Sequence, residues 1–500
     1  MNTKNYLSTF FVYISLFFTV ASVSGVLAFS GQYAPVLAVA VLLLMGGLWL
    51  IYSYPYLTVV VFMFSSILKS APIISNYVPD YGVLSDITVL SSLLVYTAIA
   101  IRLVRIPAEF GIKFRHEKGV FITFTIFVLV LLISSAFPSA TSNGVDKVFR
   151  FVFLSSLSIY GTYFLVTSTR SMNQLMLAVL VISSLFAIFS RPDESVYNRF
   201  TAAGNNSIVV GRLAGIALII FMGWFLPHVK KYKYLLGVGV GLLLGVPLIG
   251  SGSRGVVIAL LCSIFASICV YHYVFGSGKL LIRLTLAIIV AGFLFPGISL
   301  ILLKIVPDES IERISQLLTL GDAFAANARS ELFSEALDVI LYDLSLIGRG
   351  AGSFERLGIL SIYGEVYQYP HNLLLEISFE QGVLGLLCFL ILAILIFKEA
   401  MQMLFKICLI QSDNPHYSLK HEIEYYKWST LTLITLLIFL FLNALVSGDL
   451  NANRWLLLTC GVSMVTNIQF QAAFTKMIDG KYLLARISHK TSLSLKQARF

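Results

Sequence analysis

One histidine of seven stands apart by position. In the topology that the Lys and Arg distribution dictates, His116, His228, His272, His416, His421 and His489 fall in cytoplasmic segments or at the inner ends of spans, and His371 alone falls on the outer side. It sits in Tyr369-Pro370-His371-Asn372-Leu373, where Pro370 fixes the chain's approach and Asn372 is placed to cap a following helix. Imidazole is the commonest general base near neutral pH, so His371 is a candidate catalytic base. A purely structural histidine at a helix start is the alternative.

The arginines give a second signal. Of the 35 Lys and Arg, 22 fall in cytoplasmic segments as 15 Lys and 7 Arg, and 13 fall outside as 3 Lys and 10 Arg. Lysine suffices to anchor a loop at an anionic surface, whereas the planar guanidinium fork suits bidentate recognition of phosphate. An arginine-rich outer face therefore points to a phosphorylated or otherwise anionic ligand, with scattered loop ion pairs as the alternative. Residues 250–255, Gly-Ser-Gly-Ser-Arg-Gly, lead straight into an apolar span. There backbone amides, a helix N-terminus and Arg254 can meet an anion, although a tight hairpin with an interfacial arginine has the same composition. Arg199 lies in the loop before another span, and Arg212 lies about one turn inside that span. A charge so placed is a functional candidate, unless it snorkels to the interface. A fourth polar stretch, 447–454, carries Asp449 and Arg454. No His, Cys, Asp or Glu set has metal-ligand spacing, and Asp308-Glu309 suits a solvated surface pair. A metal-independent reaction without a cofactor is the simpler expectation. The five cysteines fall in apolar segments or in one cytoplasmic loop, with no CxxC pair and no placement for an external disulfide.

These residues must be carried by a membrane scaffold. Charged residues are 12 % of the 500, hydrophobic ones 58 %, and mean hydropathy is +0.88, against about 25 % charged residues in a soluble domain. Apolar stretches predict an all-α polytopic membrane protein with about 14 transmembrane helices (12–14). They lie at 7–29, 34–51, 57–74, 87–101, 120–137, 150–167, 173–190, 207–226, 234–249, 256–275, 280–303, 378–397, 428–446 and 455–472. The first is too long for a signal-peptide core and is expected to be retained. The 22-to-13 asymmetry orients the N-terminus inside, accounts for the net charge of +10 through topology and anionic lipid headgroups, and leaves no nucleic-acid signature. The expected divisions are 1–190, N-terminal spans; 191–303, central spans with outer arginine loops; 304–377, one large periplasmic loop; 378–472, C-terminal spans; and 473–500, a basic cytoplasmic tail. Within the large loop, Leu332, Ala336, Val339 and Ile340 form a helical stripe over 327–342, followed by a glycine-punctuated stretch. A long ordered loop with its own helix is usually functional.

Three stretches of this loop and the next span carry a resemblance: 347–354 (IGRGAGSF), 369–376 (YPHNLLLE) and 380–385 (EQGVLG). They resemble the large-loop signature of the O-antigen ligase and polymerase superfamily, a GxGxGxF turn, an HNxxLE helix start and an xxGxxG approach to the next span. Residues 250–255 are similar to its GSRG turn, and 198–212 to its outer arginine loop. The likeness covers about residues 190–460; the first six spans match only in being hydrophobic. It implies a glycosyltransferase C type fold and transfer of an undecaprenyl-diphosphate-linked glycan to an acceptor hydroxyl at the periplasmic face of the bacterial inner membrane, without nucleotide sugar or metal. It further implies His371 as catalytic base and Arg199, Arg212 and Arg254 as diphosphate ligands. Arg329, Arg349, Tyr369, Asn372, Glu376, Asp449 and Arg454 are further candidate substrate contacts. Length, span count and the 447–454 loop favour a polymerase, whose donor and acceptor are both lipid-linked and which can work with a chain-length regulator. A ligase that passes polymer to lipid A-core is the alternative. A lipid-linked glycan transporter and a non-catalytic envelope assembly partner are further readings; a transporter would place its charges at mid-depth, whereas these gather at one rim.

Overall fold

The computed structural model describes residues 45–69, 86–105, 117–194, 199–202, 204–276, 306–312, 323–360, 366–412, 417–447 and 449–497, with side chains described for all of these except 323–330, 412, 417–419 and 476–497. Among the described residues ten helices are long and apolar enough to cross a membrane. The expected spans 7–29 and 280–303 lie outside the described residues, as do most of 34–51 and the end of 57–74.

In chain order the helices are α1 (Leu57–Leu68), α2 (Ile87–Arg105), α3 (Lys118–Ser135), α4 (Ser142–Leu165), α5 (Thr169–Ile188), α6 (Ser207–His228), α7 (Lys233–Gly250), α8 (Arg254–Phe275), α9 (Ala323–Tyr342), α10 (Leu373–Ser412), α11 (Tyr417–Ala444) and α12 (Arg454–Gln497). Local chemistry starts several of them. Thr141 caps α4, Ser168 and Ser171 form a reciprocal capping box on α5, and Asn206 caps α6. Because the whole surface is apolar, burial rather than hydropathy separates centre from rim. α6, α11 and the 454–475 part of α12 are mostly buried, while α2, α7 and α8 bury only about a quarter of their residues. The buried hydroxyls of α11, Ser429, Thr430 and Thr432, each donate to the carbonyl four residues back. That satisfies them without water.

Several boundaries differ from the sequence expectation. α4 begins at Ser142 rather than 150, so Asp146, Lys147 and Arg150 ride on its first turns, and it contains a π-helical turn at Phe151–Ser155. α10 runs well past 397, broken at Gly382. α12 continues as helix through the stretch assigned to a tail. The stretch around Arg199 is not a plain loop: Arg191–Asp193 (β1) pairs antiparallel with Arg199–Thr201 (β2), with Asp193 opposite Arg199. The helix foreseen from the apolar stripe is α9. Its Leu332 and Ala336 bury against Phe354 and Phe379.

Candidate active site at one end of the bundle

Gly348 of 347–354 and Gly382 of 380–385 are the two halves of one backbone crossing. Gly382 adopts φ 68°, ψ −164°. A Cβ there would lie 2.3 Å from Gly348 N, and one on Gly348 2.4 Å from Glu380 O. No side chain fits at either position. Across this contact the broken helix regains its partners: Arg349 N and Gly350 N donate to Phe379 O and Glu380 O, and Val383 N and Leu384 N donate to Ser345 O and Leu346 O. The segment that follows is sewn to the end of α3 and the approach to α4, with Ala351 N donating to Ser134 O, Thr141 N to Ala351 O, and Ser139 Oγ to Arg349 O.

That crossing delivers two carboxylates to one lysine. Glu376 and Glu380, one turn apart on the first segment of α10, each accept from Lys147 Nζ at 2.7 Å. All three side chains are buried, the lysine at 10 % exposure and the glutamates at 1 % and 0 %. Asn372 caps this segment as expected, accepting from Leu374 N and Leu375 N at 3.0 and 3.2 Å. His371, immediately before it, holds φ 55°, a left-handed conformation that costs a non-glycine residue roughly 1–2 kcal/mol and marks a candidate functional position.

Beside the lysine lies a cavity of about 190 Å³ lined by Asn143, Lys147, Gln368, Tyr369, Asp449 and Asn451, among others. Amides, carboxylates and a phenol are the groups that suit sugar hydroxyls. Tyr369 connects this cavity to His371, whose ring packs edge-on at 4.6 Å between centroids; Tyr367 packs on the same imidazole at 5.8 Å. Burial, aided by the charges of Asp449 and Glu376, pushes the Tyr369 phenol up to about 12, so it is a hydrogen-bond donor rather than a base.

The 447–454 stretch, the weakest of the four polar segments by sequence, is built into the same end. Asn451 Nδ2 donates to Lys147 O, and its Oδ1 accepts from Ser155 Oγ. Ser155, presented by the π-helical turn of α4, also accepts from Arg454 Nε at 3.3 Å. π-Helical turns are frequent at functional sites. Arg212 donates to Ala452 O at 3.0 Å and to Ser447 Oγ at 3.1 Å, so it reaches this loop rather than snorkelling. Asp449 acts electrostatically on Arg212, Arg454 and Tyr369. Arg212 Nε and Arg454 Nη1 are buried donors with no hydrogen-bond partner among the described residues.

The other arginines divide into two groups. A Cβ on Gly252 would lie 3.0 Å from Arg199 Cδ, and one on Gly211 2.7 Å from Ser251 Oγ. The segments bearing Arg199, Arg212 and Arg254 therefore touch one another at the 250–255 turn, and Arg254 is the first residue of α8. Arg349 is turned aside: it pairs with Asp343 at 3.0 Å and stacks on Phe379. Arg329 lies on α9, with its side chain outside the described part. Sequence reasoning missed Lys147 altogether. The discoverable half of its signal was the carboxylate pair at i and i+4 on a helix entering an apolar span, which demands a cation.

No curated protein matches the chain. Residues 239–390 match the family described as O-antigen ligase, a stretch that holds Arg254, His371, Glu376 and Glu380 but not Lys147, Arg199, Arg212, Asp449 or Arg454, and over that part the match agrees with the resemblance to the O-antigen ligase and polymerase superfamily.

Proposed function

We propose that the protein is a surface-polysaccharide polymerase that transfers an undecaprenyl-diphosphate-linked glycan onto a hydroxyl of a second lipid-linked repeat unit at the periplasmic face of the inner membrane. The observation that carries this reading is a polar cavity at one end of the bundle lined by Lys147, Tyr369 and Asp449, with His371 packed on Tyr369 and Arg212 reaching the 447–454 loop. In the proposed reaction His371 accepts the proton of the acceptor hydroxyl. The acceptor oxygen bonds to the donor's anomeric carbon with inversion, and the carbon–diphosphate bond breaks. Arg199, Arg212 and Arg254 hold the departing diphosphate, Arg212 through the buried Nε that has no hydrogen-bond partner among the described residues, and Arg454 adds a second such donor. Charge-assisted bonds of this kind are worth roughly 1.5–3 kcal/mol each. Tyr369 and the 447–454 loop border the acceptor sugar.

A ligase that delivers polymer to lipid A-core is the second reading, favoured by the description of the matched family itself. Chemical analysis of surface glycan from a strain lacking the protein separates the two. Single repeats on the core are expected; free lipid-linked polymer would identify a ligase. Complementation then tests the residues. His371→Ala should be at least ~10²-fold slower with purified protein and lipid-linked substrate, since a positioned base contributes ~10²–10⁴-fold. Arg254→Lys should lose most polymer, because a point charge does not reproduce a bidentate fork. Full polymer from both variants at equal protein levels would overturn the assigned roles.

A further inference from the structure

At the opposite end of the bundle is a larger cavity, about 530 Å³, whose lining includes Arg102, Arg105, Arg170, Tyr52, Tyr56 and Gln174. Leu165 also lines it and sits 18 residues along α4 from Lys147, so the two sites are about 27 Å apart at 1.5 Å per residue. Neither the proposed reaction nor the family match uses it, because it lies wholly outside 239–390.

Three facts describe its chemistry. The lining contains three guanidinium groups and, among the described residues, no carboxylate. The cytoplasmic side of this chain is otherwise supplied mainly with lysine, and three of its seven arginines meet here from two helices. Hydroxyl groups complete the polar wall: Ser53 lines it from the end of the 45–53 helix, and Thr167, Ser168 and Ser171 at the capped N-terminus of α5, where the helix dipole adds to the positive field. Tyr56, hydrogen-bonded to Gln174, fixes the floor, and Arg105 lies 5.4 Å over the Tyr52 ring. The surroundings are apolar. Leu48 and Trp49 on one side and Leu103 and Val104 on the other are exposed, and Trp49 packs against the cavity residue Tyr54 at 5.3 Å. Such a site presents phosphate-binding forks beside bare hydrocarbon at the end of a span.

We propose that this cavity is a binding site for the phosphate of an anionic phospholipid headgroup, with the acyl chains lying along the exposed faces of residues 45–53 and of α2. A soluble phosphate would use the same forks but would gain nothing from Leu48, Trp49, Leu103 and Val104.

Native mass spectrometry of the detergent-purified full chain tests this, with phosphatidylglycerol, phosphatidylcholine and inorganic phosphate as separate probes. One phosphatidylglycerol should be retained in preference to phosphatidylcholine. Each Arg→Gln change should weaken its apparent affinity ~5-fold, as expected for one basic group at an anionic surface, and the triple variant R102Q/R105Q/R170Q ~10²-fold. Arg105 and Arg170 are exposed, so R105Q/R170Q keeps the test decisive if the triple variant folds poorly. Equal retention of the two lipids by the wild-type protein, or phosphatidylglycerol binding unchanged in R105Q/R170Q, would overturn the proposal. Inorganic phosphate binding as tightly as the lipid would also overturn it, by assigning the forks to a soluble anion.

Discussion

Lys147 neutralises two carboxylates that would otherwise stand uncompensated in a buried environment. Removing one partner of a buried charge cluster costs about 3–5 kcal/mol, while replacing the whole cluster by neutral groups is often close to neutral. Lys147→Met should therefore destabilise the protein by about that much, measured by thermal unfolding in detergent. The variant K147M/E376Q/E380Q should recover most of the loss, and a K147M protein that melts with wild type would remove the cluster from the account of the fold. Residues of this kind separate what the sequence discloses from what it hides. Asn372 was legible as a cap because its geometry is local: its bonds reach two and three residues along the chain. Lys147 was not, because its partners lie 229 and 233 residues away and a lysine in the stretch Ser-Asn-Gly-Val-Asp-Lys looks solvated. Tyr369 was legible as a candidate contact. Its character as a donor was not, since the phenol is raised by burial and by Asp449 and Glu376, which are brought to it by the fold.

At the scale of elements, the site depends on the break in α10. The first segment carries Glu376 and Glu380 toward α4, and the second crosses the bundle. The break survives because the irregular 345–350 segment supplies the hydrogen bonds that an interrupted helix forfeits. Gly382→Ala would place a methyl 2.3 Å from Gly348 N and 2.5 Å from Ser345 O, both backbone atoms that have little room to give, at φ 68°, ψ −164°, a region open essentially to glycine alone. We expect this variant to lose folded protein and, with it, the Lys147 contacts, read out as reduced monodisperse yield on size exclusion. Gly358→Ala is the control. It has a similar φ of 67° but a ψ of 20°, the left-handed helical region that costs roughly 1–2 kcal/mol, and nothing within 4 Å of the added atom, so it should suffer only that smaller conformational cost. The EQGVLG stretch was legible as a motif, but its reason required the partner segment. The early start of α4 was hidden for a different cause: Asp146, Lys147 and Arg150 depress hydropathy over the very turns that build the site.

At the scale of the whole molecule, segments assigned to one side of the membrane from charge alone prove to be in contact. The 138–147 stretch meets 349–356, 447–454 meets α4 and Arg212, and Ser310 Oγ donates to Gly250 O. At the other end, Asn467 donates to Glu117, Trp224 Nε1 and Tyr425 OH both donate to Asn173 Oδ1, and Lys406 donates to Gln471. The span order was legible because every helix must carry its own apolar length. Which helices are central was not, because lipid-facing and buried surfaces are equally apolar. The two ends make a direct prediction about orientation. Asp146, 74 % exposed, belongs to the first end, and Thr475, also exposed, belongs to the second, 21 residues along α12 from Arg454, about 32 Å away at 1.5 Å per residue. In a background in which the five native cysteines are replaced, Asp146→Cys should react with a membrane-impermeant maleimide in intact spheroplasts, whereas Thr475→Cys should react only after permeabilisation. The opposite pattern would turn the molecule over and put the proposed active site in the cytoplasm, where the arginine-for-lysine asymmetry would need another cause. Labelling of both in intact spheroplasts would contradict the separation of the two ends itself.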